Sequence, residues 1–193
     1  MTILIAGNFD DHGTIVGSDT QFSSVGWKGF DDGGKWIFSD GWALGVAGEL
    51  KTFSILREYP TDIMRASFSP LDISNNIFKI LEDNNYNFDE EEGFRSINSS
   101  FLLANANVVC DIDPTGAIFY ARKNMIVAGG SGMCYALGAF SALRSRMKDP
   151  VEMMTTCIGA AIEFDPMCGG KTYLANVIAS EKKVVKRKKS VAK

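Results

Sequence analysis

The chain opens on a continuous apolar run, Ile3-Leu4-Ile5-Ala6, closed by Gly7-Asn8. A run this short and this rich in β-branched residues predicts a buried strand. Asp10-Asp11-His12-Gly13 reads as a hairpin turn, and residues 14–19 return as a second strand with an acid at its far end. Residues 21–34 are rich in Gly, Ser and Asp and are expected to form a loop. Strands are predicted at 35–38 and 42–48. Residues 49–59 form a helix that stops before Pro60. Residues 73–83 form another, with Ile73, Ile77, Ile80 and Leu81 on one face.

Residues 84–93 are acidic and polar and are expected to be exposed loop. A second set of strands follows at 101–104, 108–112, 117–121 and 125–128. Gly129-Gly130-Ser131-Gly132 breaks the last one. A helix over 133–147 places Ala136, Phe140, Leu143 and Met147 on one face. Asp149, Pro150 and Glu152 then supply an N-cap, an N1 proline and an N3 acid. The helix they start carries Val151, Met154, Ile158 and Ile162 as its apolar stripe, and residues 165–170 end it. A last strand is predicted at 172–179. The order is strands, two helices, strands, two helices, strand. No repeat or linker interrupts it, so residues 1–180 read as one α+β domain. Two strand runs, each followed by a helix pair, suggest two stacked antiparallel sheets with helices outside.

Composition narrows the classes. The chain has 193 residues, is 46% hydrophobic and carries a net charge of −3. No apolar run approaches the ~20 residues of a membrane span. The apolar start lacks a basic segment before it and a cleavage site after it, so it is not read as a signal peptide. Cys110, Cys134, Cys157 and Cys168 show no CxxC spacing and are expected to be free thiols in a cytoplasmic protein. The single histidine, His12, sits in a turn, which argues against most zinc sites and most Ser-His or Cys-His chemistry. No metal and no cofactor is expected. From Glu181 onward seven Lys/Arg stand against one acid, +6, so the body carries −9. That basic tail, 181–193, is expected to be a disordered solubilising terminus. No nucleic acid and no membrane partner is expected.

Two motifs are decoys. Gly170-Lys171-Thr172 looks like the end of a phosphate-binding loop, but Asp165 stands where its first glycine belongs and a helix precedes it. Gly129-Gly130-Ser131-Gly132-Met133 approaches a nucleophile elbow, but Met133 breaks the pattern.

The strand at the very start suggests other chemistry. If Met1 is removed, Thr2 holds a hydroxyl nucleophile and a free α-amine that titrates near ~8, close enough to neutrality to act as its own base. Such a threonine needs a cation to lower the amine pKa, an acid to hold the cation, and a backbone N–H for the oxyanion. Asp19 at the end of strand two, Lys35 at the start of strand three and Gly48 at the end of strand four are candidates. On spacing alone Asp19 also reads as a turn cap and Lys35 as a surface lysine.

Five stretches, in order, resemble the proteasome β-subunit family of N-terminal-nucleophile (Ntn) hydrolases. The chain is nearest in size to HslV-type peptidases and small phage or bacterial proteasome-like proteins. The stretches are Ile15-Val16-Gly17-Ser18-Asp19, Lys35-Trp36-Ile37-Phe38, Leu44-Gly45-Val46-Ala47-Gly48, Ala128-Gly129-Gly130-Ser131-Gly132 with Tyr135-Ala136-Leu137-Gly138-Ala139, and Asp165 with Cys168-Gly169-Gly170. Cys168 stands where the family usually has Ser, and Ile3 where it has a second Thr. The resemblance covers about residues 2–179.

It implies a four-layer αββα sandwich and a threonine peptidase. Thr2 would attack, Lys35 would lower the amine pKa, and Asp19 would pair with Lys35. Ser131 and Asp165 would orient the amine and its water with Cys168 beside them, and the Gly48 N–H would bind the oxyanion. It also implies a homo-oligomeric ring, hexameric or heptameric and open to stacking, acting on peptide or unfolded protein. An ATPase unfoldase would be a separate chain. The alternatives are a non-catalytic ring or scaffold of the same fold, and an Ntn amidohydrolase acting on a small amide.

Overall fold

A computed structural model describes residues 2–24, 27–91 and 93–179. The strands β1 (Leu4–Phe9) and β2 (Gly13–Asp19) form the expected hairpin. The next segment departs from expectation. Residues 21–34 are no simple loop: β3 (Gln21–Ser24) and β4 (Trp27–Phe30) pair as a separate two-stranded hairpin. Their Gly and Ser content hid Phe22, Trp27 and Phe30, which give the segment its β character.

Then come β5 (Trp36–Ser39) and β6 (Trp42–Gly48), followed by α1 (Leu50–Glu58). Pro60 stops α1 and also opens a short helix, α2 (Pro60–Ile63). The helix α3 (Pro70–Asp83) begins three residues before the predicted one. Ser69 caps it, and Asp72 closes a reciprocal capping box. Within the expected loop at 84–93, β7 (Asp89–Glu91) pairs with β8 (Phe94–Ser96), and Tyr86 is buried.

The second strand run is β9 (Ser99–Asn105), β10 (Val109–Ile112), β11 (Ile118–Tyr120) and β12 (Ile126–Gly129). The helices α4 (Met133–Leu143) and α5 (Pro150–Phe164) and the strand β13 (Thr172–Val177) complete the chain. On α5, Val151 is exposed; Met153, Cys157 and Ala161 join Met154 and Ile158 on the buried face instead. The tail at 181–193 lies outside the described residues.

The two strand runs do not make one sheet each. A four-stranded antiparallel sheet has the order β12-β1-β2-β13, and a five-stranded one has the order β11-β10-β9-β6-β5. Each draws on both runs. The reason is visible in β1. Ile3 and Ile5 pack with α4 and α5 in one core, while Leu4 and Ala6 pack with Trp36, Ala43 and Leu102 of the five-stranded sheet in another. A strand covered on both faces is uniformly apolar rather than alternating. A third core joins the five-stranded sheet to α1, α2 and α3 through Leu44, Leu56, Ile63, Ile77 and Phe101. Among the described residues no helix is long and apolar enough to cross a membrane.

Candidate active site

Thr2 lies where three strand ends meet. Asp19 N–H donates to Ile3 O at 3.3 Å, which extends the β1–β2 pairing past Leu4. Asp19 is therefore carried to Thr2 by the hairpin itself. Lys35 lies just before β5. Val46 N–H donates to its carbonyl at 3.2 Å, and its own N–H donates to Ser18 Oγ at 3.2 Å. Lys35 is thus locked to both sheets before its side chain is considered.

Thr2, Asp19 and Lys35 are all buried, at 3%, 0% and 2% exposure. Thr2 Oγ1 donates to Asp19 Oδ1 at 2.7 Å. Lys35 Nζ donates to the same oxygen at 2.6 Å and also to Thr2 Oγ1. Ile3 N–H reaches Asp19 Oδ1 at 3.1 Å, and Gly169 N–H reaches Oδ2 at 3.1 Å. Burial pushes Lys35 below the ordinary lysine value, and the charge and hydrogen bond of Asp19 pull it back. A lysine in this setting is a cation held beside a hydroxyl with little water to screen it.

The opposite side of Thr2 is built by the β12–α4 junction. Gly132 N–H donates to Thr2 O at 3.2 Å, and Ser131 Oγ lies 3.5 Å from the same atom. Gly130 has φ +90°, and a Cβ there would sit 2.2 Å from Thr2 O. Only glycine fits. Asp165 caps the end of α5. Burial raises its carboxyl pKa, but hydrogen bonds from Ser131, Met167 N–H and Cys168 outweigh this and hold it below the usual carboxylate value. Cys168 Sγ donates to Asp165 Oδ2 at 3.3 Å. Burial, with Asp19 and Asp165 nearby, pushes the Cys168 thiol up to about 12.

Gly48 ends β6 at φ +144°, where a Cβ would meet Ser99 Oγ at 2.3 Å. It lines a pocket of about 30 Å³ together with Thr2, Lys35 and Val46. The six other residues singled out in the sequence therefore fall around Thr2, Asp165 and Cys168 by way of Ser131 and each other. Missed were Phe22, Leu50 and Phe53, which wall the same pocket. Phe22 lay in the segment taken for a loop. Leu50 and Phe53, three apart at the start of α1, were the legible signal.

No family model and no curated protein matches the sequence. Solved structures do. Thiobacillus denitrificans BPH in complex with epoxomicin superposes with a TM-score of 0.73 at 23% identity, covering 92% of this chain and 99% of that one. A second structure of that BPH gives 0.71 at 22%, covering 92% and 98%. Eukaryotic HslV from Trypanosoma brucei gives 0.66 at 17%, covering 92% and 99%. The fold is of the HslV/proteasome type.

Proposed function

We propose that this protein is a threonine-type endopeptidase subunit whose nucleophile is Thr2 after removal of Met1. The observation that carries the reading is the buried hydrogen-bonded set of Thr2 Oγ1, Lys35 Nζ and Asp19 Oδ1 beside a pocket. A buried ion pair is expensive to desolvate. A scaffold gains nothing from placing one on a threonine hydroxyl; a hydrolase does.

In this reading the Thr2 α-amine takes the hydroxyl proton as Oγ1 attacks the scissile carbonyl carbon. The Lys35 ammonium keeps that amine unprotonated beforehand and stabilises charge developing on Oγ1. The oxyanion accepts from the Gly48 N–H. The C–N bond breaks, the amine returns its proton to the leaving nitrogen, and Thr2 is left as an ester. Water then attacks the ester with the same amine as base, releasing the acid and restoring the hydroxyl. Ser131 and Asp165 hold the amine and the water, and Cys168 supports Asp165.

The layers are read as αββα, with the two sheets inside. The working form is read as a ring of identical chains. Supporting this, α4 carries no charged residue from Met133 to Leu143, yet Met133, Tyr135 and Leu137 are exposed. A helix apolar on its outer face calls for a partner surface. Substrates are peptides or unfolded chains.

The test is turnover of a fluorogenic peptide by the protein and by Thr2→Ala, Lys35→Ala and Asp19→Asn. Each variant is expected to lose at least ~10³-fold in kcat, since these groups act as one unit. Wild-type activity that survives Thr2→Ala excludes the reading.

A further inference from the structure

Two cavities at the site share one wall. The pocket at Thr2, Lys35, Val46 and Gly48 measures about 30 Å³. A groove of about 450 Å³ lies beyond it, lined by Trp27, Phe30 and Arg57 among others. Phe22, Leu50 and Phe53 line both. We infer that the Phe22 ring is a plug that closes the nucleophile's pocket off from the groove, so that the protein cleaves after small residues and rejects large apolar ones. The inference rests on the peptidase reading above.

The argument is one of size and reach. For attack, the scissile carbonyl carbon must come within ~3–3.5 Å of Thr2 Oγ1, with its oxygen toward Gly48. The side chain on the acyl side leaves the very next carbon, so it must enter the pocket that Thr2 and Gly48 line. On this measure one water needs roughly 10–15 Å³, so the pocket of about 30 Å³ has room for about two. A methyl group fits there; an isobutyl or benzyl group does not.

The plug is also held. The rings of Phe22 and Phe53 lie 5.5 Å apart, tilted at 45°. Lys35 Nζ lies 5.3 Å from the Phe22 centroid, within cation–π range. Because Asp19 fixes that ammonium, the Phe22 ring is tied to the catalytic set. Trp27, on the same hairpin and 57% exposed, lines the groove but not the pocket.

The experiment compares kcat/KM of the full-length assembled protein on peptides that differ only in the residue before the scissile bond: Ala, Leu or Phe. Wild type is expected to favour Ala over Leu and Phe by at least ~10-fold, the discrimination expected when a pocket lacks room for added methylenes. Phe22→Ala is expected to reverse the order by at least ~10-fold, as the groove opens to the longer side chains. Trp27→Ala is expected to keep the wild-type order. Wild type that cleaves after Leu or Phe as well as after Ala overturns the inference, whatever happens to the variant's folding. A folded, active Phe22→Ala with unchanged order overturns it too. Wild type that cleaves none of the peptides contradicts the peptidase reading and the inference with it. Activity with the wrong order contradicts the inference alone.

Discussion

Four hydrogen-bond donors converge on the Asp19 carboxylate: Thr2 Oγ1, Ile3 N and Lys35 Nζ on one oxygen, and Gly169 N on the other. Asp165 plays a lesser part on the other side of Thr2, and its pKa gives a directional prediction. It is lowered in the fold, so its contribution to stability is complete above the unfolded carboxylate value of ~3.9 and is lost as pH falls below that through the native value. Ser131 supplies one of the bonds responsible. Ser131→Ala should therefore be less stable than wild type at pH 7 in urea melts, with the gap narrowing as the pH falls below ~3.9. A gap that persists unchanged in acid would mean that Ser131 acts elsewhere. Cys168 offers the reverse experiment. A thiol is a weak donor, and Cys168→Ser puts a stronger one toward Asp165. A net gain of about 1 kcal/mol corresponds to roughly fivefold in kcat if it is felt in the transition state. A kcat that falls would show that the hydroxyl disturbs the carboxylate.

Elements reach the site by their ends, which explains what could be read from sequence. Hairpin geometry puts the start of β1 beside the end of β2, and strand 35–38 was plain from Trp36-Ile37-Phe38; spacing alone left Asp19 open as a turn cap and Lys35 as a surface lysine, and the family resemblance singled them out. The β3–β4 hairpin was not legible. It pairs only with itself, so no core pattern marks it, and Phe22 was lost with it. The exchange of strands between sheets was hidden for a related reason: β1 and β2 are covered on both faces, and a uniform apolar run does not say which sheet lies on which side. The Ser69–Asp72 capping box was in the sequence to be read. It also provides a control. Ser69→Ala should cost about 1 kcal/mol of stability and leave activity unchanged. Gly130→Ala, strained by ~1–3 kcal/mol and blocked by Thr2 O, should cost more and abolish turnover. Equal effects of the two on activity would remove the β12–α4 junction from the site.

Two segments differ sharply in charge. One is the uncharged outer face of α4, continued by Phe164, whose ring stacks with Tyr135 at 6.1 Å. Leu137→Lys should lower the assembled mass in light scattering while leaving the monomer folded, and unchanged mass would place the subunit contacts elsewhere. The other is the +6 tail, whose deletion over 181–193 should leave both assembly and turnover intact. Every level of the account depends on a free N-terminus at Thr2. The most direct measurement is the mass of the N-terminal peptide of the purified protein, read beside its turnover of peptide. The result expected is a peptide that begins at Thr2, in protein that turns over peptide. A peptide that begins with Met1 in protein that turns over peptide would contradict a nucleophile at Thr2.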